Sequence, residues 1–150
     1  MALIPSSIIN IGEDVEIVSQ PTYTYYYDTV NKRIIGNIDG KQAMKQAIYK
    51  IIETERYEYL IYDWNFGIEL ESLIGKDILF ISAELERIFL EALKQDDRVL
   101  SLSDFIIKEE SDSIFISFTA NTTEGNIDIE GVTINVWRKN LRIHIVRYAW

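Results

Sequence analysis

Apolar positions along this chain change their period twice. From Asp39 onward they recur at Ala43, Met44, Ala47, Ile48, Ile51 and Ile52, the spacing that lines one face of an α-helix. Lys41, Gln42, Lys45 and Lys50 occupy the rest of that cylinder, and Asp39 stands where it can cap the helix start. A second helix is predicted over residues 77–94, with Ile78, Leu79, Leu85, Ile88, Phe89, Ala92 and Leu93 facing inward. On its outer side Glu84, Arg87 and Glu91 are spaced to pair along one surface. Between the helices, the run T-E-R-Y-E-Y-L-I-Y-D-W-N-F-G at residues 54–67 follows neither a helical nor a strand period. Ile68, Leu70, Leu73 and Ile74 then suggest a short helix ending at Gly75.

After Asp96 and Asp97 the period drops to two. Strands are predicted over 99–107 and 114–120, separated by an acidic turn at 108–113. A hairpin loop at 121–126 contains Gly125. Ile127 and Ile129 then share one parity, whereas Val132, Ile134 and Val136 share the other. A one-residue slip turns every side chain to the opposite face, so a bulge at Glu130-Gly131 is needed to keep both sets on the core side. A last hairpin turns at 138–140 and runs out as a strand over 141–150. Towards the N-terminus, residues 22–27 read as a Tyr/Thr-rich strand, followed by a polar turn at 28–33. Residues 1–21 hold both prolines, Pro5 and Pro21, and apolar pieces too short to fold alone, so they read as an extended arm. Helices in the middle and a closing antiparallel meander define an α+β domain over 22–150, not alternating βαβ units.

Composition narrows the function classes. A chain of 150 residues with 47% hydrophobic content suits one well-buried domain. Its net charge of −9 repels phosphate backbones and disfavours nucleic acid. The one basic cluster, Arg138, Lys139, Arg142, His144 and Arg147, falls on the last strand pair without a nucleic-acid motif, and an acidic protein partner suits it better. With no Cys and a single His, the sequence supplies no thiol nucleophile, zinc site or triad, and no cofactor or metal is expected. The first residues lack a basic region and a long apolar core, and no apolar run approaches a membrane span, so a soluble protein is expected. Nine Tyr and three Trp favour protein interfaces, because both combine large apolar area with a polar tip.

Several separated pieces together resemble the phage-tail baseplate wedge or sheath-initiator family, the "lysozyme-like" wedge proteins of contractile tails, in the form carried by Gram-positive prophages and phage-derived bacteriocins. They are I-I-G-N-I-D-G at 34–40 and the helix with Ala43, Gln46 and Ala47; T-E-R-Y at 54–57; the aromatic run closing on Phe66-Gly67 with I-E-L-E-S-L-I-G-K at 68–76; E-L-E-R at 84–87; and D-D-R-V at 96–99. The resemblance covers roughly residues 22–132. Where the wider family has Glu-Pro-Arg between the last helix and the first sheet strand, this chain has Asp96, Asp97 and Arg98. The acid and the Arg remain in kind, and the proline that would stiffen the turn is gone. An Arg at such a corner can fork onto a carboxylate within the subunit or across an interface.

The resemblance implies an assembly role. Relatives of this kind sit in the inner baseplate around hub and tube and seed the contractile sheath, whose subunits exchange strands. The expected partners are other baseplate wedge proteins, the tail sheath protein and tail tube or hub proteins. Six copies around the tail axis are expected, in a particle assembled in the bacterial cytoplasm. The candidate interface residues are Glu55, Arg56, Asp96, Asp97 and Arg98, together with Trp137, Leu141, Ile143, Ile145, Tyr148 and Trp150 of the C-terminal hairpin at 133–150. A long apolar last strand is an aggregation hazard unless it pairs, which suits strand addition to sheath.

The rival reading is a lysozyme-like peptidoglycan hydrolase, drawing on Glu55, Glu58, Asp63 and Glu69 around the aromatic run. A general acid needs a raised pKa. Arg56 beside Glu55 is expected to lower it instead, which counts against catalysis. A generic adaptor unrelated to tails would share the composition without the ordered motifs.

Overall fold

Two helices lie on one face of a four-stranded antiparallel sheet, and a separate two-stranded hairpin precedes them. The computed structural model describes residues 21–110 and 113–135, and the backbone course of 143–145. The hairpin pairs β1 (Thr24–Asp28) with β2 (Arg33–Ile38). The helices are α1 (Gly40–Glu53) and α2 (Ile78–Leu93), with a single 3-10 turn at Glu71–Leu73 between them. The sheet runs β3 (Val99–Glu110), β4 (Ser113–Thr122), β5 (Gly125–Asn135) and β6 (Ile143–Ile145), each beside the next, so among the described residues β3 and β6 form its two edges.

The helical stripes read from the sequence are the core. Met44, Ile48 and Ile52 of α1 and Ile81, Leu85, Phe89 and Leu93 of α2 are all essentially inaccessible. They meet Ile114, Ile116, Phe118 and Ala120, the alternate residues of β4. Phe89 is packed edge-on against Phe105 and Phe118, with ring centroids 5.7 and 5.8 Å away, and those two rings stack on each other. Burying a side chain of this size contributes roughly 2–3 kcal/mol, so this triad fixes where α2 sits on the sheet.

The bulge demanded by the parity change in β5 is present. Ile116 faces Val132 but Phe118 faces Ile129, so three steps on β5 match two on β4. Gly131, at φ 75°, takes the extra residue. Ile127, Ile129, Val132 and Ile134 are therefore all buried on one side. The acidic turn expected at 108–113 is shorter, because β3 runs on to Glu110 and β4 begins at Ser113.

Two expectations need correction. Residues 33–38, read as the end of a turn and a lead-in to Gly36, form strand β2. Ile34 and Ile35 are exposed, Ile34 at 64% accessibility, and only Ile38 is half-buried, so no alternating buried face signals a strand. The short helix expected over 68–74 is only the 3-10 turn, because Ile68 is held in a backbone bridge and cannot begin a helix. The stretch 54–67 forms successive turns. The arm expected over 1–21 lies outside the described residues except for Pro21.

Gln46 ties the small hairpin to α1. The Gln46 amide accepts from the Tyr27 backbone N–H at 2.9 Å and donates to the Tyr25 carbonyl at 2.8 Å, at the irregularity in the β1–β2 pairing. Asp39 caps α1 as expected, accepting from the Gly40 N–H at 2.7 Å and from the Thr22 hydroxyl.

Candidate functional site

The segment 54–68 leaves the end of α1 and returns beside it. The Ile68 N–H donates to the Thr54 carbonyl at 2.9 Å, and the Arg56 N–H donates to the Ile68 carbonyl at 2.8 Å. The closure requires glycine at 67. Its φ is 100°, and a Cβ there would lie 2.6 Å from the Thr54 carbonyl oxygen.

Arg56 and Glu55 lock this base from two sides. The Arg56 side chain is only 7% exposed; its Nε donates to the Gly67 carbonyl at 3.2 Å and a terminal nitrogen donates to Glu91 of α2 at 2.9 Å. One oxygen of Glu55 accepts from the backbone N–H groups of Leu70 and Glu71, at 2.8 and 3.1 Å, capping the 3-10 turn. Burial pushes the Glu55 carboxyl above its ordinary range; the two backbone N–H groups oppose this, and Glu71 and Glu58 add to it. The expectation that Arg56 would lower it is wrong, because that guanidinium is committed to Gly67 and Glu91. What opposes a general-acid role is instead geometric: the carboxylate is engaged in holding backbone. Glu55→Ala is expected to cost about 1–2 kcal/mol by leaving the two N–H groups without an acceptor. Glu55→Gln keeps an acceptor oxygen without burying a charge and should stay within about 1 kcal/mol of the parent at pH 7. The raised folded-state pKa means that wild-type stability falls relative to Glu55→Gln as pH rises from the ordinary carboxylate range through that pKa. Urea unfolding of both variants from pH 4 to 8 checks this.

Above this base stands an aromatic crown. Tyr62 stacks on Phe66 at 4.5 Å, Tyr59 meets Tyr62 edge-on at 6.2 Å, and Tyr57 meets Trp64 edge-on at 6.3 Å. Lys50 lies 5.6 Å from the Tyr62 ring centre. The outward residues include two that the aromatic pattern does not mark: Leu60 is fully exposed and Ile61 is 86% exposed, beside Trp64 at 79%.

The second cluster is the corner between α2 and β3. Arg98 forks onto Asp96, with Nε to Oδ1 at 2.9 Å and the terminal nitrogen to Oδ2 at 2.6 Å. The Arg98 N–H also donates to Asp96 at 3.0 Å, and the Val99 N–H to the Asp96 carbonyl at 3.0 Å, so the turn is made rigid without a proline. Both side chains are largely buried, at 13% and 18% exposure. Arg98 further reaches the Pro21 carbonyl at 3.4 Å, and its own carbonyl accepts from Thr123 at 3.0 Å. One residue thus joins the chain entry, the helix–strand corner and the β4–β5 turn. Asp97 is exposed.

These two clusters, some thirty residues apart in sequence, meet. Phe66 and Gly67 of the loop line a surface pocket of about 240 Å³ with Ile51, Ala92, Asp96 and Arg98. Glu91, placed by sequence spacing only in surface pairing with Arg87, also serves Arg56; the pairing with Arg87 is present at 3.6 Å. No local pattern marks Glu91 as the partner of Arg56, because the contact spans 35 residues. Of the C-terminal candidates, Ile143 and Ile145 lie in β6, opposite Ile134 and Val132. Trp137, Leu141, Tyr148 and Trp150 lie outside the described residues.

The internally bonded carboxylates, rigid corner and exposed crown are features of a scaffold with binding surfaces. Residues 22–125 match the model of the contractile injection system sheath initiator family. The chain is also 36% identical over 127 residues to the phage-like element PBSX protein XkdS of Bacillus subtilis strain 168, covering 80% of this chain and 90% of that protein. The chain belongs to the contractile injection system sheath initiator family.

Proposed function

We propose that this chain is a structural subunit of a contractile-tail baseplate that joins the inner baseplate to the tube and starts the sheath by β-strand addition, without enzymatic activity. Six copies would stand around the tail axis in a particle assembled in the cytoplasm, in contact with other wedge proteins, hub or tube proteins and the first sheath subunits. Family membership supports the tail role, and the relative from a phage-like element agrees with it.

The observation that carries the strand-addition step is the asymmetry of the sheet edges. The β3 edge is interrupted where Asp104 sits at φ 51° in an irregular register, and it ends in Lys108, Glu109 and Glu110, features that discourage pairing. At the other edge β6 pairs regularly with β5 through Val132–Ile145, Thr133–His144 and Ile134–Ile143. Its outer side is the edge suited to a sheath strand. β6 closes the domain's own sheet on one side and serves as the template on the other.

Glu55, Arg56, Asp96 and Arg98 act in this reading by holding the surfaces that partners meet, and Asp97 is the exposed member of the corner. Removing residues 141–150 is the test. The shortened chain, with its helical circular dichroism retained, should enter baseplates but leave tubes bare of sheath in electron micrographs. Sheathed tails of normal length would overturn the strand-addition step.

A further inference from the structure

The aromatic crown has no role in the strand-addition scheme, and its surface is unusual. Leu60, Ile61 and Trp64, with Tyr57 and Tyr59 beside them, present large apolar side chains to solvent from one loop. Contiguous exposed apolar surface of this kind marks binding sites. The loop is also held in advance of binding. Its ends are closed by the Thr54–Ile68 and Arg56–Ile68 bonds, its base by Arg56 and Glu91, and its interior by the Tyr62–Phe66 stack. Such order lowers the entropy cost of docking.

Charge selects the partner. From Tyr57 to Gly75 the chain carries Glu58, Asp63, Glu69 and Glu71 and no Lys or Arg. Two crowns facing each other would oppose acid to acid. Leu60, Ile61 and Trp64 are the most exposed side chains of the crown, and the pocket beside it is lined by Phe66 and Gly67 at its base, not by these three. An anionic lipid surface would repel its carboxylates. We infer that the crown at 57–64 is a docking prong that inserts Leu60, Ile61 and Trp64 into an apolar cleft rimmed by Lys or Arg on a different protein of the same particle. This goes beyond the sheath-facing edge, because it assigns a second, separate interface, and it rests on the tail reading only for where the partner is found.

A photo-crosslinking amino acid at position 64, in a chain complementing producer cells that lack the gene, gives the direct test. Cross-links should join position 64 to another polypeptide of the purified particle, at an apolar segment flanked by Lys or Arg. Links to residues 1–20 of this chain, links to a second copy, or no links in fully assembled particles would each overturn the inference. Two variants supply the energetic test. Leu60→Ser/Ile61→Ser/Trp64→Ser should fold normally and enter particles about tenfold less than the parent, as expected when central anchors are removed. Glu58→Lys/Asp63→Lys should lower incorporation more than Glu58→Gln/Asp63→Asn, which keeps an acceptor for the Trp64 N–H that Asp63 holds at 2.8 Å and removes only the charge. Parent-level incorporation of either variant would contradict the prong. If residues 141–150 are dispensable for sheath yet position 64 still cross-links as described, the strand-addition reading fails and the prong stands.

Discussion

Gly67→Ala is expected to destabilise the protein by about 2–4 kcal/mol, a large share of the stability of a domain this size. Two penalties coincide there. The backbone stands at φ 100°, where a side chain is strained, and the new Cβ would lie 2.6 Å from a backbone oxygen that has no flexible end to swing away. The chain can relieve this only by separating residues 54–56 from 67–68. That breaks the two backbone bonds closing the loop and pulls the Gly67 carbonyl from Arg56. A largely buried guanidinium then loses its backbone acceptor. Urea unfolding should show the loss in stability, and hydrogen exchange should show the Ile68 and Arg56 amides losing protection first. Parent-like stability would mean that the loop closes differently.

Arg98→Ala is the second large effect, with an expected cost of about 2–4 kcal/mol at neutral pH, because it leaves the Asp96 charge buried and without its partner. Burial alone would raise the Asp96 carboxyl; hydrogen bonds from the Arg98 side chain and backbone N–H, with the guanidinium charge, outweigh it and hold the carboxyl below its ordinary range. With the folded-state pKa lowered, the pair stabilises fully above the unfolded carboxylate pKa near about 4 and loses that contribution as pH falls through the folded-state value. In Arg98→Ala, Asp96 takes up its proton earlier, so the gap between the two proteins should narrow as the pH falls below about 4. Asp96→Asn/Arg98→Ala should recover part of the loss at pH 7, since no buried charge remains. A pH-independent gap would place the cost in lost packing.

The contrast between these two positions shows what the sequence made legible. The helices were plain because a 3.6-residue stripe of Ala43, Met44, Ile48, Ile51 and Ile52 has one physical solution. The β5 bulge was plain because two apolar sets of opposite parity cannot otherwise share a core. The corner at Asp96 and Arg98 was marked by local charge and by the family pattern, and the fork is present. Strand β2 was not legible, since its exposed Ile34 and Ile35 pair only with a neighbouring hairpin strand and bury no face. Nor was the loop base. Its bonds join Arg56 to Glu91 and Glu55 to Leu70, and such distant partners leave no periodic trace. The sequence pointed to Tyr and Trp, but the most exposed residue of the crown is Leu60, whose position depends on turns with no period.

The most direct measurement is electron microscopy of particles from producer cells with this gene deleted, compared with the same cells complemented by the intact chain. Sheath initiation predicts that the deletion strain makes no sheathed, contractile tails and that the intact gene restores them. Contractile tails of normal number and length in the deletion strain would contradict the account.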